Sequence, residues 1–198
     1  MKKLLSVMAM VIMVAVVAFP PAALAVPTLW LSDGVVTLTV PDQAVGLDLN
    51  PEVGAVTYIG AVGLNWKLNV STGMSTPAMG SPSSPLMDLN SVDTNKIAGV
   101  GTLTLKFSDQ NFTLGGFPVA NMAIGGTTVG SVIYTAYFDT ANGLLTTPPA
   151  GLIGTLGPYV FQPGSMGFGG DLTTNISPGN LYSLTQVVTI AHTSLMAL

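Results

Sequence analysis

The chain contains no cysteine, no arginine, a single histidine and a single glutamate. Without cysteine there is no thiol nucleophile, no thiolate metal site and no thioether-linked haem. The core must then hold without disulfides, which a domain of this size can do. Without arginine the chain lacks the planar donor that grips phosphates and carboxylates bidentately, and its nine acids outnumber its five bases. Together these exclude nucleic acid and an anionic membrane surface as partners. The lone histidine, His192, removes multi-histidine zinc sites and leaves one residue to serve as base of a hydrolytic triad. Charged residues make up only 7% of the chain, against roughly 25% in ordinary soluble domains. A surface so poor in charge is weakly hydrated and suits close packing against other molecules.

Long apolar runs are also missing, with one exception at the start. Lys2 and Lys3 precede an apolar stretch beginning at Leu4 and ending at Phe19, interrupted only by Ser6, then Pro20-Pro21, then Ala23-Leu24-Ala25. A basic head, an apolar centre and an A-x-A site make a secretory signal peptide, residues 1–25, cleaved after Ala25. The run is too short for a comfortable membrane span. The mature domain, residues 26–198, carries no stable membrane span and is expected to be secreted, extracellular or at the cell surface.

What remains has a β texture. Short stretches rich in Val, Ile, Thr, Tyr and Phe alternate with Gly, Pro, Asn, Asp and Ser clusters, which predicts an all-β fold. The strands expected are 35–40, 55–59, 64–70, 86–92, 101–107, 121–126, 131–138, 165–174 and 181–192. Segments 55–59 and 64–70 form a hairpin turning at Gly60 to Gly63, with Leu64, Trp66, Leu68 and Val70 on one face. Residues 74–85 and 141–158 read as loops. No segment has a capped helical period, so at most one short helical turn is expected. The fold class is a single jelly-roll-like antiparallel β-sandwich after an N-terminal signal helix.

Candidate sites are few. No G-x-S-x-G elbow accompanies His192, which reads as an ordinary strand residue. Glycoside hydrolysis needs two acids facing one bond; Glu52 is the only glutamate, and the aspartates mostly sit in turn contexts such as Ser32-Asp33-Gly34. No enzyme is therefore expected, and no cofactor. Asp48, Asn50 and Glu52 alternate as oxygen ligands ahead of Gly54 and are the candidate calcium site, although a turn into the following strand explains them equally. Trp30, Trp66, Tyr58, Tyr134, Tyr137, Tyr159 and Tyr182 form either a sugar-stacking platform or core and cross-strand pairs.

Several runs carry a family likeness. Asp48 to Asp93 (DLNPEVGAVTYIG…PLMDLNSVD), Gly101 to Thr113 (GTLTLKFSDQNFT), Ile124 to Gly130 (IGGTTVG) and Tyr182 to Thr193 (YSLTQVVTIAHT) resemble, in that order, secreted bacterial proteins of the PEP-CTERM, exosortase-sorted type. The resemblance implies a surface or extracellular-matrix protein and no particular chemistry. Such proteins continue past the H-T motif into a further strand, a Pro-Glu-Pro motif, an apolar helix and a basic tail. Here Ser194-Leu195-Met196-Ala197-Leu198 stands in that place, so exosortase anchoring is not expected.

Lack of that further strand would leave a sheet edge unpaired at the C-terminal end, a template for another chain. A neighbouring copy could then donate an extended segment, and Val26 to Leu31 is the candidate donor, with Leu29, Trp30 and Leu31 as its apolar anchors. The alternative is that this segment pairs within its own domain. The expected function is a non-enzymatic extracellular structural protein, a filament subunit or matrix component that self-associates. A cell-surface carbohydrate-binding module, with glycan as partner, is the alternative.

Overall fold

The computed structural model describes residues 26–95, 101–115, 119–162, 164 and 167–192; residues 1–25, expected to be a signal peptide, and Thr193–Leu198 lie outside the described residues. The strands are β1 (Thr28–Ser32), β2 (Thr37–Pro41), β3 (Ala55–Val62), β4 (Trp66–Met74), the two-residue pair β5 (Gly80–Ser81) and β6 (Ser84–Pro85), β7 (Asp88–Asn95), β8 (Gly101–Thr113), β9 (Val119–Thr127), β10 (Ser131–Asp139), β11 (Leu152–Val160), β12 (Gly167–Asn175) and β13 (Leu181–His192). The one helical element among the described residues is a 3-10 turn, Pro149–Gly151.

One layer is a six-stranded antiparallel sheet in the order β11-β10-β13-β8-β1-β2. The other layer holds two separate pieces, β3-β4-β7 and β9-β12. The chain crosses repeatedly between layers, giving a jelly-roll-like antiparallel β-sandwich. Two apolar clusters bind the layers. In the first, Leu29, Leu31, Leu105 and Phe107 of the large sheet meet Val56, Trp66 and Leu68 of β3 and β4. In the second, Tyr134, Ile153 and Leu156 meet Met122 of β9.

The β1–β2 hairpin shows how local sequence builds these strands. Thr28, Leu29 and Leu31 are buried in β1. The Asp33 carboxylate accepts from the backbone N–H of Val35 and Val36 at 3.0 and 2.7 Å. Gly34 takes a φ of 89°, open to glycine without cost. Those N–H bonds hold the Asp33 carboxyl below its ordinary pKa.

Three local expectations are corrected. Residues 152–160 form strand β11 rather than loop. Its register against β10 shifts twice, so inward residues Ile153 and Leu156 are three apart and the period of two is broken. The β3–β4 hairpin turns after Val62, which pairs with Trp66, so Leu64 sits at the tip, 84% exposed, instead of in the core. In β4 the register shifts between Leu68 and Val70 against β7. The buried face accordingly passes from Trp66 and Leu68 to Ser71, because one extra residue flips every later side chain.

That flip places Gly73 over the core, where a Cβ would overlap the Phe107 ring. Phe107 is fully buried and cannot yield. Gly73→Val is expected to destabilise the domain by about 1–3 kcal/mol, the range for overpacked cores. Urea unfolding monitored by tryptophan fluorescence measures this; an unchanged midpoint would contradict the packing described.

Candidate functional site

The second layer is interrupted between β7 and β9. Among the described residues each has one ladder partner, β4 for β7 and β12 for β9, and their other edges face one another across a slot. Two adjoining cavities of about 700 and 410 Å³ run along it. The larger is bordered by Asp88 to Asp93 and by Asn121 to Thr127; the smaller by Ser83 to Met87 and by Val119 to Met122. Residue numbers thus rise in the same direction on both walls, and β7 and β9 run parallel to each other.

The floor is the large sheet. Val132 and Tyr134 of β10, Leu105 of β8, and Val188 and Ile190 of β13 lie beneath the slot. Gln186 crosses it, donating through Nε2 to the Met87 carbonyl at 3.2 Å and to the Tyr134 hydroxyl oxygen at 3.0 Å. Its Oε1 is buried with no partner among the described residues, as is Nε1 of the fully buried Trp66 at the far end. Orphaned buried polar atoms cost on the order of 1–3 kcal/mol each. His192 closes that end, its imidazole 5.1 Å from the Trp66 ring, and burial pushes its pKa down.

The charged groups on the slot walls are acidic. Asp93 accepts from the Ser91 hydroxyl at 2.7 Å, and Ser91 meets Ser71 at 2.6 Å. Burial nevertheless pushes the Asp93 carboxyl up to about 6. Outside the slot, Asp109 of β8 has no exposure and accepts from the Ser75 hydroxyl at 2.7 Å. Burial raises it to about 6 as well, against the lowering effect of Ser75 and the Gln110 N–H.

The residues singled out in the sequence are mostly elsewhere. Leu29, Trp30 and Leu31 lie in β1, paired within their own sheet to β8 on one side and β2 on the other. Leu29 and Leu31 are wholly buried, and the Lys106 ammonium lies 5.2 Å above the Trp30 ring. Val26 is 44% exposed just before the strand. The C-terminal strand is not an edge either: β13 is held on both sides, by β10 and β8. The edges that face a gap belong to β7 and β9, which no candidate-site reading marked.

Asp48, Asn50 and Glu52 do come together, but as a turn. Asp48 accepts from the N–H groups of Gln43, Asn50 and Thr57, each at 2.9 Å. Asn50 Oδ1 accepts from the Glu52 N–H at 3.0 Å. Among the described residues no group of three or more His, Cys, Asp or Glu side chains is placed to hold a metal. The aromatics divide likewise: Trp66, Tyr134 and Tyr182 are buried, Tyr159 stacks on Phe168 at 5.2 Å, and none of the tyrosines or tryptophans stands exposed. No helix among the described residues is long and apolar enough to cross a membrane.

No family model, curated protein or solved structure matches the chain.

Two outcomes follow from this geometry. A carboxyl whose folded pKa is raised favours the folded state when protonated, so its contribution is present below the unfolded value and lost as pH rises through about 6. Relative to the wild type, Asp109→Asn should therefore gain stability between pH 5 and pH 7 in urea titrations; a difference that stays constant across that window would contradict the burial of an ionisable Asp109. Asp48→Ala should lower the unfolding midpoint equally with and without calcium, since it orphans backbone donors. A loss seen only when calcium is present would assign the loop to a cation instead.

Proposed function

We propose that this chain is a non-enzymatic extracellular structural protein, a filament subunit or matrix component, that self-associates by accepting an extended strand into the slot between β7 and β9. The observation that carries this reading is a pair of strand edges, unpaired among the described residues, that flank an apolar floor. Unsatisfied backbone N–H and C=O groups on a sheet edge are a template for another strand, and strand addition is an established mode of protein assembly. The sparse charge of the chain lowers the repulsion between copies, the signal peptide supplies the extracellular setting, and the likeness to exosortase-sorted proteins points the same way. Val26–Leu31 is not the donor in this reading. Removing β1 would unpair β8 and β2 and expose Leu29 and Leu31.

Sedimentation of the mature secreted protein, with no ligand added, tests the proposal, and negative-stain microscopy of the same sample gives the form of the assembly. Species heavier than the monomer are expected, their share growing with concentration. Monomers at every concentration, together with glycan-array binding lost on mutating Trp30 or Tyr137, would replace it with the carbohydrate-binding reading.

A further inference from the structure

Strand direction and one side chain of the floor together limit what can enter the slot. In an antiparallel sheet neighbours alternate in direction, so strands running parallel to each other are separated by an odd number of others. β7 and β9 run parallel, and the piece each belongs to is antiparallel internally. One strand, running opposite to both, completes the layer as a continuous antiparallel sheet of six strands, facing the six of the other layer. The outer margins of the two layers already meet, β2 with β3 and β11 with β12.

The floor has a direction of its own. Gln186, Val188, Ile190 and His192 are alternate residues of β13, and all four line the larger cavity. Gln186 bonds to Met87 just before β7, and His192 packs on Trp66, which pairs with Asn95 at the end of β7. β13 therefore runs the same way as β7, and a strand entering the slot meets this row in reverse. From its N-terminal side onward, its floor-facing residues lie over Ile190, then Val188, then Gln186. They are two residues, or about 6.6 Å, apart, which is also the spacing of the β13 row.

Ile190 and Val188 call for apolar side chains above them, and Gln186 does not. The Met87 carbonyl can only accept, so the Gln186 amide must turn its nitrogen toward it. Both Nε2 hydrogens are then engaged, one by the Met87 carbonyl at 3.2 Å and one by the Tyr134 hydroxyl oxygen at 3.0 Å. Gln186 Oε1 is left as an acceptor, and the hydrogen of the Tyr134 hydroxyl as a donor, without a partner among the described residues. Tyr134 is only 7% exposed, and both residues line both cavities. The backbone of an inserted strand does not meet this need, because its N–H and C=O groups point sideways to β7 and β9. A side chain that donates and accepts at once does. A primary amide has both functions on one planar group.

We infer that Gln186 and Tyr134 select the strand that fills the slot, by reading an Asn or Gln side chain placed over them. Apolar residues precede that amide at the two alternate positions, over Val188 and Ile190, and the strand runs opposite to β7 and β9. This rests on the strand-accepting reading above and states the chemistry of the strand accepted. The walls add a preference of sign. Asp88 and Asp93 line the slot, and no lysine among the described residues does, so flanking Lys is favoured over Asp or Glu.

A blocked fluorescent peptide, Lys-Val-Thr-Val-Thr-Asn-Thr-Lys, carries this pattern. Fluorescence anisotropy against a low concentration of the chain beginning at Val26 reads its affinity. One comparison peptide replaces the Asn by Leu, and another reverses the order to Lys-Thr-Asn-Thr-Val-Thr-Val-Lys. The first peptide is expected to bind about tenfold more tightly than either, since a buried polar group left unpaired costs about that factor. Gln186→Met should invert the preference, so that the Leu peptide binds better. Tyr134→Phe keeps the ring and should narrow the preference without inverting it. A general loss of fold would weaken every peptide alike and invert nothing.

Equal affinity for the Asn and Leu peptides would overturn the selection and leave strand acceptance standing. Tighter binding of the reversed peptide would overturn the direction. Failure of every peptide to bind would remove this occupant. Sedimentation of the chain alone then decides the reading beneath it: heavier species keep strand acceptance, and monomers at every concentration remove it too.

Discussion

The pairing of β8 with β13 is the interaction on which the sandwich depends. It joins residues 101–113 to residues 181–192 in a ladder that runs almost the full length of both strands. Every other strand of the large sheet is attached to one side of this pair or the other, β1 and β2 through β8, β10 and β11 through β13. Its inner face carries Leu103, Leu105 and Phe107, which pack under β3 and β4, together with Val188 and Ile190. The ladder also sets the floor of the slot. Where it bulges, between Tyr182 and Leu184, Asn111 takes a positive φ, and its backbone N–H is received by the Asn142 side chain at 2.9 Å. The most distant pairing in sequence thus also anchors the loop beyond β10.

The few acids of the chain serve this architecture more than any chemistry. Asp33, Asp48 and Asp139 each collect backbone N–H groups at a turn, and Asp139 adds the Thr146 hydroxyl at 2.7 Å. Aspartate in a turn supplies the acceptor that the backbone lacks there. Asp109 and Asp93 differ: both are buried, and both are raised toward neutrality by that burial. Asp93 borders the slot, so a strand that buried it further would push its pKa further up.

Much of the fold was legible because period-two alternation is a local property. GTLTLKF and LYSLTQVVTIAH present one apolar face each, and β8 and β13 contain them whole. Legibility failed where an extra residue breaks the alternation, as in β11 and at Leu68–Val70 of β4, since a bulge leaves no mark in composition. The turn chemistry of Asp33 and Asp48 could be read from residue type alone. The slot could not. It is made by the absence, among the described residues, of a strand between β7 and β9, and neither strand has a sequence feature that distinguishes its free edge from a paired one. The signal that could have pointed to it is counting: strands that alternate strictly in direction, laid into two layers, leave one place unfilled.

The filling of that place by one strand is tested most directly by backbone amide exchange in β7 and β9. In a chain beginning at Val26, slot-facing amides of both strands should be protected together at high concentration. They should lose protection together on dilution, while β8 and β13 remain protected throughout. Amides of β7 and β9 that exchange freely at every concentration, with the rest of the sandwich intact, would contradict the presence of a strand between them.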